Sequence, residues 1–479
     1  MKPNILIFMT DHQRGDTALP SHPAITPNLD KFLKESVSFT EAYCPAPHCC
    51  PSRASFFTGL YPSQHGVWNN VCNEQALSLG PKEGTKLFSD GLLEAGYDLF
   101  FSGKWHVSSV ERPADKGWQE LFVSSVPGTH HGRTWEGYKE GVDVAETRKE
   151  GTIKRPGYGD FLVYGTGDGS GDTHDETVVR EAVGQLGKLE DAENPWCLYV
   201  GVNAPHDPYV VPQKYLDMYM LEDIELPENY HDDMLDKPGL YRRMKEQVFG
   251  QMSETEVREA IRHFWAFCTY IDDMFGRVLE ALDKTGQAED TLVLFCADHG
   301  DYCGEHGLFA KGIPCFKGAY HVPAVIRYPA GLENPGRTVD EFVSLTDFTP
   351  TFLDVAGIEP SQALAGKTLL PFLKDSQPAT WRDAVYTQCN GVELYYVQRS
   401  ITTKDYKYVF NGFDFDELYD LKNDPLELTN LAAQKEYESI KLELCEQLMR
   451  FAYEHDDEGV LPAYVTVGFA PIGPSGAFD

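Results

Sequence analysis

Long apolar runs, cations and paired cysteines are all scarce in this chain. No stretch approaches the ~18 apolar residues of a membrane-spanning helix, so no membrane association is expected. Lys and Arg number 41 against 74 Asp and Glu, a net charge of -33. That balance argues against a nucleic-acid partner, which needs a basic face. It also disfavours long-range steering of anions, although salt confines such fields to ~8–10 Å and leaves room for a local basic pocket. The 11 cysteines are odd in number and scattered, without Cys-x-x-Cys pairs at zinc spacing. Cys197, Cys268 and Cys296 fall inside apolar runs and read as buried thiols of a reducing compartment. There are no repeats and no low-complexity tract. Met1-Lys2-Pro3 leads straight into Asn4–Met9, too short and strand-like for a signal peptide. As it stands the chain is expected to be cytoplasmic, or periplasmic or secreted if a leader has been removed.

What is present is an ordinary globular composition over 479 residues, enough for one large and one small domain. Four apolar runs, Ile5–Met9, Asp98–Phe101, Cys197–Val202 and Thr291–Phe295, show little alternation. They predict parallel strands covered on both faces. Each ends in reactive residues: Asp11-His12-Gln13, Gly103-Lys104-Trp105-His106, Asn203-Ala204-Pro205-His206 and Asp298-His299-Gly300. Ligands of such sheets bind beyond the carboxyl ends of the strands, so all four clusters are expected on one rim. Between them, Thr26-Pro27 reads as a cap opening a helix over Lys31–Glu35. Val257, Ile261, Phe264, Cys268, Ile271 and Val278 recur at helical spacing. Gly128–Gly171 is rich in Gly, Thr and charge and is expected to form a rim loop near the site.

The fold class predicted is α/β. A large domain (1–375), with a mostly parallel or mixed sheet and helices on both faces, is followed by a smaller α+β domain (376–479). In the latter, Ala384–Thr387, Leu394–Gln398 and Lys407–Phe410 read as antiparallel strands and Lys435–Tyr453 as a covering helix. The Gly/Pro-rich end, Gly468–Asp479, reads as irregular.

Asp11 and the Asp298-His299 pair supply hard or borderline ligands from two strand ends and would share one ion. A carboxylate-rich set favours Ca²⁺, with Mg²⁺ as the alternative. In Cys49-Cys50-Pro51-Ser52-Arg53, Pro51 suits a first helical turn and Ser52 can help cap it. Cys49 would then stand at a helix N-terminus, where backbone N–H groups favour anions, with the Arg53 fork nearby.

That stretch, with Thr58-Gly59-Leu60-Tyr61-Pro62 after it, resembles the Cys-x-Pro-Ser-Arg signature of the formylglycine-dependent sulfatases, of alkaline-phosphatase-like architecture. The resemblance spans nearly the whole chain. It continues through Gly103-Lys104-Trp105-His106, Pro205-His206-Asp207-Pro208, Asp298-His299-Gly300, Glu305-His306-Gly307, Lys311-Gly312 and Glu417-Leu418-Tyr419-Asp420-Leu421 with Asp424-Pro425, Glu427 and Asn430-Leu431. It implies a sulfuric ester hydrolase acting on a sulfated small molecule or oligosaccharide. Cys49, oxidised to formylglycine by a maturase partner, would supply the nucleophile and a metal ligand beside Asp11, Asp298 and His299. Arg53 would orient the formylglycine hydrate, and Lys104 and Lys311 would bind sulfate oxygens. His206 would be the acid for the leaving alcohol, and His106 the base for expelling sulfate. The Glu417 motif is expected to organise the small domain.

Many members carry Asp-Asp after the first strand; here Thr10 stands for the first, and His12 and Gln13 are candidates to complete the coordination, with neither required. Lys317-Gly318 replaces the family's Glu-Gly, which makes Lys317 an extra substrate contact or a surface charge. His65, His130, His131 and His306 would line the rim or cap turns. A phosphonate monoester or phosphodiester hydrolase of the same superfamily is the competing activity. A non-catalytic glycan-binding relative would be expected to lack Cys49 or a metal ligand. A two-metal phosphatase would place Ser or Thr at position 49.

Overall fold

The structure, a computed structural model, describes residues 2–73, 75–124, 148–155, 159–167, 174–392 and 394–460. Its strands, in chain order, are β1 (Asn4–Thr10), β2 (Val37–Tyr43), β3 (Asp98–Gly103), β4 (Gln119–Val123), β5 (Thr152–Arg155), β6 (Gly159–Leu162), β7 (Tyr164–Gly167), β8 (Trp196–Gly201), β9 (Tyr209–Pro212), β10 (Thr291–Ala297), β11 (Ala324–Arg327), β12 (Arg337–Ser344), β13 (Ala384–Cys389), β14 (Gln398–Thr403), β15 (Tyr406–Asn411) and β16 (Glu417–Asp420).

Eight of them form one mixed sheet in the order β12-β2-β11-β10-β1-β8-β3-β4. The four apolar runs read from the sequence are its adjacent, mutually parallel centre, β10-β1-β8-β3. Their register is level at the carboxyl ends: Met9 pairs with Cys296 and with Gly201, and Gly201 pairs with Gly103. The residues that follow, Asp11, Asp298 and Lys104, therefore emerge side by side. Gly103 has φ 120°, and a Cβ there would lie 2.0 Å from the Gly201 carbonyl oxygen. Only glycine allows the two strands to leave the sheet this closely.

Both faces of the sheet are covered. On β8, Tyr199 packs on Phe57 of the Cys49–Thr58 helix, with ring centroids 5.3 Å apart. On β1, Phe8 packs on Phe275 of the Glu254–Lys284 helix at 5.1 Å. Tyr199 is in register with Ile7, one residue from Phe8. Successive side chains of a strand point to opposite faces, so the two helices lie on opposite sides. Val257, Ile261, Phe264, Cys268, Ile271 and Val278 are all buried on the second helix. The Thr26 side chain makes no cap bond, and the helix starts at Pro27, not Lys31. Its first amides are capped from outside: Asp272 accepts from the N–H groups of Asn28 and Leu29.

The C-terminal strands form an antiparallel sheet, β13-β14-β15-β16, with the Glu438–Glu454 helix on it. The expected strand at Leu394–Gln398 instead begins at Gln398; the apolar character of Leu394 and Tyr395 belongs to an exposed segment. Glu417-Leu418-Tyr419-Asp420 is the edge strand β16. Its companions serve structure: Asn430 accepts from Leu418 N–H, Asp424 from Thr429 N–H, and Glu427 joins Lys407 to the Lys317 amide. Of 128–171, residues 148–155 and 159–167 are described; they include the antiparallel β5–β6 pair and β7, which pairs in parallel with β9. The rest, with His130 and His131, lies outside the described residues, as does Gly468–Asp479.

The segment that follows the Glu438–Glu454 helix is tied to the sheet by a buried ion pair. Arg399 donates through Nε and Nη2 to Asp457 at 2.5 and 2.9 Å, and the Tyr386 hydroxyl donates to the same carboxylate. Removing one partner of such a pair leaves the other charge uncompensated, at a cost of about 3–5 kcal/mol. Asp457→Ala is expected to lower the urea midpoint of unfolding accordingly, whereas an unchanged midpoint would show that water reaches Arg399.

Candidate active site

Cys49 opens its helix behind His48, whose extended backbone (φ -136°, ψ 146°) makes it the N-cap residue. The Ser52 hydroxyl does not cap; it donates to the Asp298 carbonyl and moors the helix to the end of β10. The Cys49 Sγ lies 3.7 Å from Asp11 Oδ1, 3.3 Å from His299 Nε2, 3.6 Å from Lys104 Nζ and 3.5 Å from Lys311 Nζ. Burial raises its pKa, but Lys104, Lys311 and His299 together hold it well below the ordinary thiol value. Cys50 faces elsewhere: its thiol meets Cys72, and burial pushes its pKa up.

Asp11, Cys49, Asp298 and His299 bring one ligand atom each to within 4.8 Å of one another, all buried. His299 Nε2 is 3.7 Å from both Asp11 Oδ1 and Asp298 Oδ1. Ligands 2.3–2.6 Å from a calcium ion and at right angles stand roughly 3.3–3.7 Å apart, so these residues fit a divalent cation. The outer oxygens are engaged by protein cations. Arg53 donates through Nε to Asp298 Oδ2 at 2.8 Å and through Nη2 to Asp11 Oδ2 at 3.2 Å, and Lys104 donates to Asp11 Oδ2. Burial raises the pKa of both carboxylates. For Asp11, Lys104, His206 and Arg53 overcome it and hold the group ionised; for Asp298 burial and the neighbouring Asp11 prevail and the pKa is raised. Arg53 is thus a brace under the two carboxylates, held also by the Tyr199 hydroxyl oxygen at 2.8 Å and the Lys104 carbonyl at 3.1 Å.

The remaining predicted residues surround the same point. Lys311 Nζ is 3.3 Å from His206 Nε2, and His206 Nδ1 is 2.6 Å from the Asp207 carbonyl oxygen. For His106, burial and Lys104 lower the pKa, but contacts with the Cys49 and Cys72 thiols leave it raised; its Nδ1 is buried without a protein partner. His12 packs between the rings of His206 and His299, 4.1 and 4.4 Å away. Gln13 donates to Thr17 at 3.0 Å and leaves its buried Oε1 unpaired.

Three candidates fall away from the site. Lys317 pairs with Glu41 at 3.2 Å, so it is a surface charge on another face. His65 bonds Ser55 at 2.9 Å, and His306 bonds Asp232 at 2.7 Å and stacks on Phe316. Others were missed. Asp301 and Asp207 both face His12, at 3.0 and 3.6 Å from Nδ1. Asp207 is the variable position of the Pro205–Pro208 motif and Asp301 directly follows Asp298-His299-Gly300, which are the only sequence signals. His48, Asn70 and Asn73 line the cavity over Lys311 and His206, about 330 Å³ in volume. Its far wall comes from the β5–β6 hairpin, through Arg155 and Phe161, and from Leu394 and Tyr396.

A buried carboxylate-imidazole cluster, a helix N-terminus and two lysines meet at the carboxyl ends of a mixed sheet, a set fit to hold a divalent cation and to bind an anionic group. The Sulfatase family model matches residues 3–358, and the model described as N-sulphoglucosamine sulphohydrolase, C-terminal, matches 304–454. The chain is 32% identical to a choline-sulfatase of Rhizobium meliloti, over 90% of this chain and 82% of that one. It is 30% identical to an arylsulfatase of Clostridium perfringens, over 96% of each. The phosphonate monoester hydrolase of Agrobacterium radiobacter superposes with a TM-score of 0.78 at 25% identity, covering 95% of this chain and 96% of that one. The chain belongs to the sulfatase family.

Asp298→Asn keeps the side-chain shape but removes a charged donor. Bound divalent metal, measured by mass spectrometry of the metal, is expected to fall to a small fraction of its wild-type content. Full retention would place the ion elsewhere.

Proposed function

We propose that this chain is a formylglycine-dependent sulfuric ester hydrolase holding one calcium ion between Asp11, Asp298, His299 and residue 49. The observation that carries this reading is the convergence of three ligand atoms, from Asp11, Asp298 and His299, and two lysines on the first residue of one helix. Three of the four donors are carboxylate or imidazole; a thiol is the soft exception in a set suited to a hard cation. Formylglycine hydrate would place a hydroxyl oxygen there instead. When bound, the ion would supply Lewis-acid stabilisation of charge on the transferring group. The hydrate would supply a nucleophilic hydroxyl and a second one whose collapse expels sulfate.

The protein's own groups do the rest. Lys104 and Lys311 flank residue 49 and would hold the sulfate oxygens, stabilising charge that grows in the transition state. His206, at the cavity side of Lys311, would protonate the leaving oxygen, because an alkoxide leaves poorly. His106, on the Cys49–Cys72 side, would take the proton of the second hydroxyl. Arg53 would keep the two carboxylates in place. The alcohol would occupy the cavity walled by the β5–β6 hairpin, and a sulfated sugar is the substrate class we favour. The likeness to a phosphonate monoester hydrolase supports a second reading, hydrolysis of phosphonate monoesters. Comparing kcat/KM for aryl sulfate and aryl phosphonate monoester separates the two.

Peptide mass spectrometry of protein made with the maturase is expected to show the thiol lost at Cys49; conversion at Cys50 alone would overturn the register. Lys104→Ala and Lys311→Ala are each expected to lower kcat/KM by about 10²–10³, the scale of one preorganised charge-stabilising donor. The loss should fall on kcat at least as much as on KM. Unchanged kinetics would remove the lysines from the mechanism.

A further inference from the structure

Apolar side chains that face water while their polar neighbours face inward invert the ordinary pattern. Leu77, Leu79, Val110, Leu394 and Tyr395 are 48–62% exposed. Yet Ser78, between the two leucines, has its hydroxyl buried, and Ser108 and Ser109, just before Val110, are both buried. Segments packed only for stability would bury the leucines and valine and expose the serines. The backbone is also pinned in place. Buried Asn69 donates to the Gln75 carbonyl at 2.8 Å and accepts from the Leu77 N–H at 2.8 Å. The Leu79 carbonyl accepts from the Ser109 N–H at 2.8 Å and from the Ser108 and Ser109 hydroxyls at 3.2 and 3.1 Å.

The third stretch joins the same rim, because the Tyr395 hydroxyl donates to the Gln75 carbonyl at 2.9 Å. None of the residues 75–79, 107–110 and 394–397 is charged, in a chain where 24% of residues are. Single exposed apolar residues are ordinary, whereas a contiguous group of them marks a binding surface. This rim runs into the cavity over Lys311 and His206. Leu394 and Asn73 line that cavity, and Met244, Val248, Phe249 and Ile313 extend its apolar wall. Asn70 ties the rim to the helix of Cys49 by accepting from the Cys50 N–H at 3.1 Å.

We propose that this rim is the subsite for an apolar part of the leaving alcohol, so that the substrates are sulfate monoesters of amphiphilic alcohols. The sulfated end enters the cavity. An alkyl chain or ring, carried directly or as the aglycone of a sulfated sugar, lies on Leu394, Leu77 and Leu79. The proposal rests on the reading that the cavity takes a sulfate ester, and it adds what lies beyond the ester oxygen. Continuity with the cavity favours substrate as the occupant. A second copy would bring the same net charge of -33 and be repelled.

The measurement is calorimetric binding of methane-, butane- and octanesulfonate, each below its micellar concentration, to the metal-loaded protein. A sulfonate presents three oxygens like a sulfate ester, but its carbon–sulfur bond is not hydrolysed, so the readout does not depend on activity. Octanesulfonate is expected to bind about tenfold more tightly than butanesulfonate, because burial stabilises each added methylene. In the double variant Leu77→Gln, Leu79→Gln that gain should fall below about twofold. Methanesulfonate binding and melting temperature should not change, because neither leucine lines the cavity. No gain with chain length in wild type, or a gain untouched by the double substitution, would overturn the proposal. So would a wild-type dimer that the double substitution dissociates, which would assign the rim to a second copy. Failure of wild type to hydrolyse any sulfate ester, with the chain-length gain intact, would refute the proposed reaction while still supporting the rim as an apolar subsite.

Discussion

Two carboxylates forced together inside the protein are the constraint on which the site depends. Asp11 and Asp298 follow Thr10 and Ala297, which are paired in register on adjacent parallel strands. The strands deliver them at the same height, and both are fully buried. Burial of a carboxylate is costly unless it is paired and hydrogen-bonded. The structure answers with Arg53 and Lys104 on the outer oxygens. The inner oxygens face His299 and Cys49, the place the proposed cation would occupy. The positions of the helix, the guanidinium and the lysine all answer the charge of these two groups.

The same arrangement reconciles a chain of net charge -33 with an anionic ester. Arg53 and Lys104 are consumed largely by the carboxylates beneath, while Lys311 approaches from the opposite side on the segment after β10. Surface charge beyond a Debye length is screened, whereas these cations act at contact distance on buried groups, where each counts for far more. The acidity belongs to the solvated exterior, and the polarity of the site is set by three side chains.

The cavity above joins parts distant in sequence. The hairpin supplies Arg155 and Phe161, the strand-end loops supply His206 and Lys311, and the segment before β14 supplies Leu394 and Tyr396. The connection between β13 and β14 of the C-terminal sheet thus also walls the site, and the sheet itself is anchored through Glu427 and the Arg399–Asp457 pair. The motif around Glu417, read as architectural, bonds within that sheet and to its neighbours.

The sequence by itself determined the central strands, because continuous apolar runs have one economical place in a sheet covered on both sides. It also determined the reactive clusters at their ends, because these are contiguous in the chain. Asp11, Lys104, His106, His206, Asp298 and His299 were read as candidates for that reason, whereas Cys49 was read from its helix-start signature and Lys311 from the family resemblance. Only the tertiary structure decided what lies between clusters. It turned Lys317 outward to Glu41, made Arg53 a brace, and placed Asp301 behind His12. It also capped the Pro27 helix with Asp272, a residue of another helix. Such contacts join residues hundreds of positions apart, and a one-dimensional pattern carries no term for them. They are set by strand register and by the need of every buried polar group to find a partner.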